Sequence, residues 1–497
     1  NWLSRYIIIF VRKIKTLQEV HMFTLIGAII LLLLGYIVYS KFVEKVFVVN
    51  NATPTPAYTK TDNLDYVPMP AWKGWTIQLL NIAGLGPIYG AIAGALYGPV
   101  AMVWIVLGCI FAGAVHDYFA GMLSLRHGGA QFPTLVQKYL GKVMRVFTDI
   151  VSVVLMILVA AAFTAGPAAV ISAKTGMTFM LAIVIIFLYF FLAAILPINQ
   201  IIGRIYPLFG AVLLITAISI LGALFFSYIK IPELTLANMH PSELPIWPLL
   251  MITISCGAIS GFHSTQSPII SRTLKKETEG RMVFYGAMIG EGIIALIWCA
   301  AGMSFYGGTA ELGSMVASIG AGGVVDAISN GLLGTVGGLL AILSVIILPI
   351  TTGDTSLRSA RMIVLDFLGS RIKGNTKIVA VLATISVTIP AFYLSTIDYQ
   401  FLWRYVGMTN QMVATVMLWV ATSYLLKEGK FHWMTGLPAL FMSAVVFTYL
   451  MVAPEGFGLE YNLSMIIGLS ATVVVGLVYA YQIIRHSRLN NSVLVKE

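Results

Sequence analysis

Apolar residues fill almost the whole chain in runs of about 20, and short polar connections separate the runs. A run of that length crosses a hydrocarbon core about 30 Å thick as an α-helix. The pattern therefore predicts an all-α integral membrane protein with about 13 transmembrane helices. These spans lie near residues 22–40, 76–97, 99–123, 144–171, 178–197, 205–228, 246–274, 281–305, 337–366, 377–397, 401–426, 434–452 and 462–485.

One segment, residues 306–335, interrupts this pattern because Gly, Ala and Ser dominate it. Its apolar character is too weak for a further span. Two interpretations stay open for it: a re-entrant or lid-like hairpin, and a glycine-rich extracellular loop.

Composition agrees with the membrane assignment. Hydrophobic residues make up 59% of the 497 residues and charged residues 10%, whereas roughly 25% of a soluble domain is charged. The three cysteines, Cys109, Cys256 and Cys299, lack paired spacing, so neither a disulfide framework nor a metal site is expected.

The formal charge of +10 indicates topology and not nucleic-acid binding. If span 76–97 enters from the cytoplasm, most Lys and Arg residues fall on cytoplasmic loops, as the positive-inside bias requires. The N-terminal tail is the exception, since the scheme places its basic residues outside. An interfacial helix from Trp2 to Leu17 would accommodate them.

Two of the predicted spans are interrupted near their middle. The earlier one contains Ala83-Gly84-Leu85-Gly86-Pro87, and the later one contains glycines, hydroxyls and an imidazole between Cys256 and Pro268. Freed backbone groups are tolerated at membrane depth only beside protein or a wet cavity. Such paired breaks are typical of the substrate site of a secondary transporter. We therefore expect substrate contacts at Gly84, Gly86, Pro87, Gly257, Ser260, Gly261, His263, Gln266 and Pro268.

Each interrupted span begins a group of five spans, and the odd interval between the groups gives them opposite orientations. This predicts a LeuT-like core of two inverted five-helix repeats with a broken first helix in each. The predicted organisation is an N-terminal interfacial segment, first transmembrane helix and cytoplasmic linker (1–75), a first repeat (76–228), a second repeat with the 306–335 insertion (246–426), and two C-terminal helices with a cytoplasmic tail (427–497).

Pro87 and Pro268 suit the first turn of a helix, where a missing N–H costs nothing. Each is therefore expected to start a half-helix whose free N–H groups face the bilayer centre and attract an anionic group such as a carboxylate. The alternative is that Gly-Pro pairs only kink packed helices.

Ionisable and hydroxyl side chains within the spans are candidates for ion or proton coupling, because burying them in lipid is costly. His116 and Asp117 are either proton carriers or a polar packing cluster, and as helix neighbours they need not pair with each other. His263 contacts substrate or a proton, or makes a structural hydrogen bond. The coupling candidates are His116, Asp117, Glu291, Thr351, Thr352, Asp354 and Thr355.

Within span 337–366, the threonine hydroxyls and the carboxylate of Asp354 are suited to bind Na⁺ or H⁺. Asp354 equally suits a salt bridge with Arg358, one turn later. Arg404 lies at the outer edge of span 401–426, where it can extend its charge to the membrane surface.

Several stretches resemble the carbon starvation protein A (CstA) family of bacterial inner-membrane transporters, and they extend over about two-thirds of the chain in the expected order. They are Leu64-Asp65-Tyr66-Val67-Pro68, Ala83-Gly84-Leu85-Gly86-Pro87, Gly113-Ala114-Val115-His116-Asp117, Ser260-Gly261-Phe262-His263, Thr351-Thr352-Gly353-Asp354-Thr355 with Arg358-Ser359-Ala360-Arg361, and Tyr405-Val406-Gly407-Met408-Thr409-Asn410-Gln411.

Two departures from the family pattern bear on the substrate. Many relatives carry a Thr-Thr-Pro-Lys-like sequence after the histidine, where this chain reads Ser264-Thr265-Gln266-Ser267-Pro268. The chain is also shorter than the long enterobacterial members.

The resemblance implies a multi-pass protein of the bacterial inner membrane that imports short peptides or, in some relatives, pyruvate, usually with a proton. It also implies the inverted repeats of amino acid–polyamine–organocation transporters. We expect an ion-coupled peptide importer, with a pyruvate/proton symporter as the alternative and a non-transporting nutrient sensor as a third possibility. Membrane lipid is the other expected partner, and the oligomeric state stays open.

An enzyme is not expected, because H-E-x-x-H and G-x-S-x-G motifs are absent from the sequence. The sequence also lacks a P-loop, so it gives no support to ATP-driven pumping. No cofactor is expected beyond a coupling proton or sodium ion.

Overall fold

The computed structural model describes residues 22–62, 64–195, 202–227, 229–368, 376–397 and 399–494. Within these ranges every regular element is a helix. The tail for which the sequence predicts an interfacial helix lies outside the described residues.

The helices, numbered in chain order, are α1 (Phe23–Phe47), α2 (Pro56–Thr59), α3 (Ala71–Ile82), α4 (Gly86–Ala95), α5 (Val100–Arg126), α6 (Phe132–Leu140), α7 (Lys142–Thr175), α8 (Phe179–Ile195), α9 (Ile202–Phe226), α10 (Ile246–Thr253), α11 (Phe262–Ser271), α12 (Glu277–Phe305), α13 (Thr309–Leu368), α14 (Thr376–Leu394), α15 (Tyr399–Lys427), α16 (Trp433–Val452) and α17 (Tyr461–Leu494). Single π-helical turns occur in α1, α4, α5 and α12.

Each predicted span falls on a helix or on a pair of helices. Among the described residues, eight helices are long and apolar enough to cross a membrane, and the bent pair α3–α4 makes a ninth. The multi-pass helical membrane architecture is thereby confirmed. The count of 13 spans, the inverted repeat and the division into four regions stay predictions.

The helices differ in how deeply the protein buries them. In both α5 and α12, 78% of the most apolar stretch is buried inside the protein, whereas the value for α17 is 17%. Helices α5 and α12 therefore lie at the centre of the bundle, and α17 lies at its edge with its apolar side chains available to lipid.

Both predicted interruptions are present. Residues 83–85 separate α3 from α4, and the two helices are bent by 58°. Residues 254–261 separate α10 from α11. The polar positions that interrupt two apolar runs in the sequence are therefore real ends of helices.

The segment 306–335 is helical, so the glycine-rich loop interpretation is wrong. Helix α13 starts at Thr309, and left-handed backbone at Gly320 (φ +70°) and Gly334 (φ +65°) divides it into three helical stretches. Glycine adopts this backbone without a steric penalty. The segment is thus helical on both sides of Gly320, and the re-entrant or lid-like hairpin stays a prediction.

Two ion pairs join distant parts of the chain on the predicted cytoplasmic side. Asp65, in the linker before α3, lies 2.8 Å from Arg358 and 3.7 Å from Arg361 of α13, and only 1% of the Arg358 side chain is exposed. Arg126, at the end of α5, donates two hydrogen bonds of 2.9 Å to Glu277 at the start of α12. At that face these pairs join the linker to α13 and the end of α5 to the start of α12.

The Asp65 pair allows a stability test. Asp65→Asn removes the anionic partner of a buried arginine, and we expect it to lower the free energy of unfolding by about 3 kcal/mol, the low end for a broken buried pair. The loss stays moderate because Arg358 also donates to the Ala193 carbonyl. Thermal unfolding of the purified protein in detergent measures it.

The matched control is Asp326→Asn. Its partner Lys174 lies 2.8 Å away, but the two side chains are 32% and 47% exposed, so we expect a change below about 1 kcal/mol. Equal destabilisation by the two substitutions would contradict the importance of the buried pair.

Candidate substrate and ion site

The two helix breaks pack directly against each other. A Cβ atom added to Gly86, the first residue of α4, would overlap the Cβ and Sγ atoms of Cys256 in the second break. A Cβ atom at Gly84 would overlap the ring of Phe163 on α7. Pro87 follows in the first turn of α4, as the sequence predicts. The two interruptions therefore form one continuous region of the protein interior.

The second break is held by a side chain from α15. The Asn410 side-chain oxygen accepts hydrogen bonds from the Phe262 N–H (2.7 Å) and from the Ser260 hydroxyl (3.2 Å). Gly261 lies so close to the α15 backbone that it has no room for a Cβ. Gly257 adopts left-handed backbone with φ of +92°. These contacts fix where the chain unwinds and where α11 resumes.

The expectation that Pro268 starts the second half-helix is wrong. Helix α11 begins at Phe262, and Pro268 is buried well inside it. The start lies upstream because Asn410 caps the Phe262 N–H there. The N–H groups of His263 and Ser264 donate to carbonyls of the preceding turn. The amides of this helix end are therefore engaged with the protein and do not face a ligand.

Four fully buried ionisable side chains meet behind the second break. The Asp117 carboxylate of α5 accepts hydrogen bonds from Nδ1 of His116 (2.8 Å) and from Nδ1 of His263 (2.9 Å). Nε2 of His263 lies 3.5 Å from the Glu291 carboxylate of α12. Although they are adjacent in sequence, His116 and Asp117 do bond to each other. The row His116–Asp117–His263–Glu291 is called the buried cluster below.

Within the described part of the chain, Nε2 of His263 and both carboxylate oxygens of Glu291 have no hydrogen-bond partner. Cys256, His263 and Glu291 each bring one ligand atom to within 4.8 Å of the others. A thiolate, an imidazole and a carboxylate are the donors that Zn²⁺ and similar ions take. Asp117 accepts a hydrogen bond from the other ring nitrogen of His263 and so orients the imidazole. The same free atoms are equally suited to hold a proton.

The predicted threonines form a second polar group, where α13 crosses the end of α3. The hydroxyls of Thr351 and Thr352 lie 3.5 and 3.3 Å from the Leu80 carbonyl, in the last turn before the first break. Thr355 donates only to carbonyls of its own helix at Thr351 and Thr352. Two of the three threonines therefore converge on a carbonyl of the broken helix.

Asp354 is linked to the threonine group through Tyr206, whose hydroxyl also lies 2.8 Å from the Thr351 carbonyl. Its carboxylate accepts hydrogen bonds from the hydroxyls of Tyr189 (2.8 Å) and Tyr206 (2.7 Å), on α8 and α9. Arg358, the alternative partner one turn away, pairs with Asp65 instead. The tyrosines show how this carboxylate is satisfied at membrane depth.

Two adjoining cavities lie beside the breaks. The inner cavity, of about 270 Å³, is lined by Ser255, Cys256 and Phe262 of the second break and by residues of α3, α7 and α15. The outer cavity, of about 870 Å³, extends between α7 and the glycine-divided part of α13. Trp403 and Arg404 belong to both walls. The site is therefore reached through a wider outer space.

The nine residues predicted to contact substrate surround these cavities but do not line them. Gln266 donates to the Thr265 hydroxyl at 3.0 Å, and Ser260 donates to Asn410. Their contact with substrate stays a prediction. Cys256, Asn410 and Arg404 line the inner cavity instead. The sequence analysis predicted no role in a substrate site for these three residues. The sequence feature that could have indicated them is a polar or charged residue inside an apolar span or at its edge.

A buried ionisable cluster beside paired helix breaks, within a bundle of apolar helices and next to a cavity, defines a membrane transporter. The chain belongs to the carbon starvation protein CstA family, whose sequence profile matches residues 20–186, 168–309 and 307–449. The resemblance found in the sequence motifs is confirmed.

The relatives whose names state a function are distant. The chain is 26% identical to the peptide transporter CstA of Campylobacter jejuni, over 84% of this chain and 78% of that one. It is 25% identical to the pyruvate/proton symporter BtsT of Escherichia coli, over 55% of this chain and 47% of that one. An uncharacterized membrane protein of Haemophilus influenzae is 46% identical over 55% of this chain and 89% of its own length.

Among solved structures, a variant of the Eremococcus coleocola manganese transporter aligns with a TM-score of 0.50 at 13% identity, over 86% of this chain and 99% of that one. At this identity the likeness concerns the fold alone. The apolar helices and the relatives together identify a multi-pass protein of the bacterial inner membrane.

The contact between the breaks gives a second stability test. We expect Gly86→Ala to lower the free energy of unfolding by about 1–3 kcal/mol, because the new methyl group forces the two breaks apart. Combining it with Cys256→Gly removes the atoms that it meets and is expected to restore part of the loss. Thermal unfolding of the two variants and of Cys256→Gly alone measures the coupling.

Gly222→Ala is the matched control, because this glycine lies in α9 with nothing within 4 Å of an added Cβ. We expect it to be neutral or slightly stabilising. If the double variant were no more stable than the sum of its single variants predicts, the contact between the breaks would not be the cause.

Proposed function

We propose that this protein is a secondary active importer of short peptides, driven by protons and working by alternating access around the two helix breaks. The observation that carries the proposal is the buried cluster beside the inner cavity. It places two carboxylates and two imidazoles, all fully buried, directly behind the wall formed by Cys256.

Proton coupling requires groups that change charge where the transported molecule binds. Asp117 receives hydrogen bonds from two imidazoles, and His263 separates it from Glu291. Among the described residues Glu291 makes no hydrogen bond, and the His263 imidazole lies 3.5 Å from it. A charged carboxylate in this position is costly at membrane depth, so a proton on Glu291 or His263 lowers that cost. The cluster can therefore take up a proton in one conformation and release it in another.

The peptide assignment follows from extent of similarity and from space. Relatives named peptide transporters align with 55 to 84% of the chain, and the one named a pyruvate/proton symporter aligns with 55%. The inner cavity of about 270 Å³ is slightly below the roughly 300–1,000 Å³ of drug-sized pockets, and it adjoins a larger space. A short peptide suits that volume.

The ion pairs support the alternating-access part of the proposal. Asp65–Arg358 and Arg126–Glu277 cross the predicted cytoplasmic face, while both cavities lie toward the other side with Lys174 and Arg404. This arrangement is that of a carrier loaded from outside. Opening to the cytoplasm requires these pairs to separate.

A pyruvate/proton symporter is the second candidate function, favoured by the similarity to BtsT. A second candidate ion is Na⁺, favoured by the hydroxyls of Thr351 and Thr352 beside the Leu80 carbonyl. A coupling ion is the only bound species besides substrate that the proposal requires.

The function is tested by uptake of a labelled dipeptide into proteoliposomes that contain the purified protein. An inward gradient of one pH unit provides about 1.4 kcal/mol per proton, so one proton per peptide permits roughly tenfold accumulation. Unlabelled pyruvate is expected to compete poorly. Strong competition by pyruvate would favour the second candidate, and absence of accumulation under both proton and sodium gradients would refute transport.

The role of the cluster is tested with Asp117→Asn and Glu291→Gln. We expect either change to reduce proton-driven accumulation to about onefold while exchange of labelled for unlabelled peptide continues, because exchange needs no net proton movement. Asp149→Asn, which removes a carboxylate outside the cluster, should leave both readouts unchanged. If Thr352→Val abolished coupling and the cluster variants did not, sodium at the threonines would replace the proton.

A further inference from the structure

We propose that Arg404 binds the carboxylate of an anionic substrate where the two cavities meet, and that the site thereby selects carboxylate-bearing molecules with an apolar or aromatic group. This inference deepens the proposed function and rests on it, since it names the group by which the transported molecule is recognised. Arg404 is exposed, as a snorkelling role at the membrane surface requires, and it also lines both cavities.

Arg404 lies where the two cavities meet. Arg404 lies in the first turns of α15, two turns before Asn410, and its side chain lines both the inner and the outer cavity. It is the one formally charged residue among the described residues that line the inner cavity. A molecule passing from the outer to the inner space therefore passes this guanidinium.

The described charged residues around Arg404 do not form ion pairs with it. Within the described structure Arg404 forms no hydrogen bond and no ion pair within 4.0 Å. The other charged residues of the outer cavity, Lys174 and Asp326, pair with each other at 2.8 Å. Glu455 accepts a hydrogen bond from Tyr449 of the inner-cavity wall and forms no ion pair with Arg404 within 4.0 Å. Among the described residues the guanidinium therefore has no direct anionic partner at the junction.

The helix ends do not provide an alternative carboxylate site at the second break. The Phe262 N–H is capped by Asn410, and the next two N–H groups of α11 donate to carbonyls of the preceding turn. A ligand carboxylate would have to displace these bonds. A guanidinium, in contrast, presents several N–H donors in a planar fork that matches a carboxylate.

The neighbouring rings indicate what accompanies the carboxylate. The ring of Trp403 stacks on Phe163 at 6.0 Å between centroids and on Tyr399 at 5.6 Å. Trp403 lines both cavities together with Arg404, and Phe163 lines the inner one. An apolar or aromatic group next to the carboxylate would therefore meet ring surface, and the site combines one cation with an aromatic wall.

The test compares binding of a labelled dipeptide to the purified protein with competition by the same dipeptide carrying a C-terminal amide. In the natural protein we expect the amide to compete roughly 10- to 100-fold more weakly, the range of a charge-assisted hydrogen-bonded pair. In Arg404→Gln the free acid should weaken to the level of the amide, so that the difference nearly disappears. Arg404→Lys should fall between the two, because it keeps the charge without the fork.

Lys427→Gln is the matched control, since it removes a cation at the other end of α15 that lines neither cavity. It should keep the full difference between acid and amide. A difference of natural size in Arg404→Gln would overturn the inference, and so would equal competition by acid and amide in the natural protein.

Uptake measurements with the same variants separate this inference from the transport proposal. Binding that depends on Arg404 without any accumulation in proteoliposomes would support the carboxylate site and refute transport. Normal accumulation by Arg404→Gln, with unchanged acid preference, would keep transport and overturn the carboxylate site.

Discussion

The hydrogen bonds that Asn410 accepts from the Phe262 amide and the Ser260 hydroxyl are the contacts on which the site depends. Inside a bilayer every backbone polar group must find a partner within the protein, so an unwound stretch of helix persists only if other side chains satisfy it. Asn410 provides that partner from a helix far away in sequence. Without it, the end of α11 would have an unsatisfied amide at membrane depth, and a regular helix would be the cheaper structure.

Once the second break exists, the first is shaped to meet it. Gly86 allows the backbone of α4 to approach Cys256, and Gly84 allows the ring of Phe163 to close the other side. The glycines thus serve packing between two broken helices in addition to backbone freedom. This close contact brings Cys256 into the wall of the inner cavity, with the buried cluster behind it.

The sequence was sufficient to predict the helices and both breaks, because hydrophobic length and the Gly and Pro residues are local signals. It was insufficient where partners are distant. Pro268 suggested the start of a half-helix by local preference, but Asn410 determines the start at Phe262 through a tertiary contact. Likewise, the two tyrosines that bind Asp354 come from helices more than 140 residues earlier. No pattern in a single sequence specifies such pairings.

In the proposed function, the charge of a substrate in the inner cavity would affect the protonation of the buried cluster. An anionic substrate that enters the inner cavity carries its own negative charge toward a region that already holds the carboxylates of Asp117 and Glu291. Repulsion at this depth is strong because the surrounding dielectric is low, and a proton bound by the cluster removes one of the negative charges. In the transport proposed above, binding of an anion would therefore favour the protonated cluster and protonation would favour the anion, which is the reciprocal linkage that symport requires. Cys256 belongs to the wall of the inner cavity, and its sulfur lies within 4.8 Å of ligand atoms of His263 and Glu291, so the proposed coupling needs no long pathway through the protein.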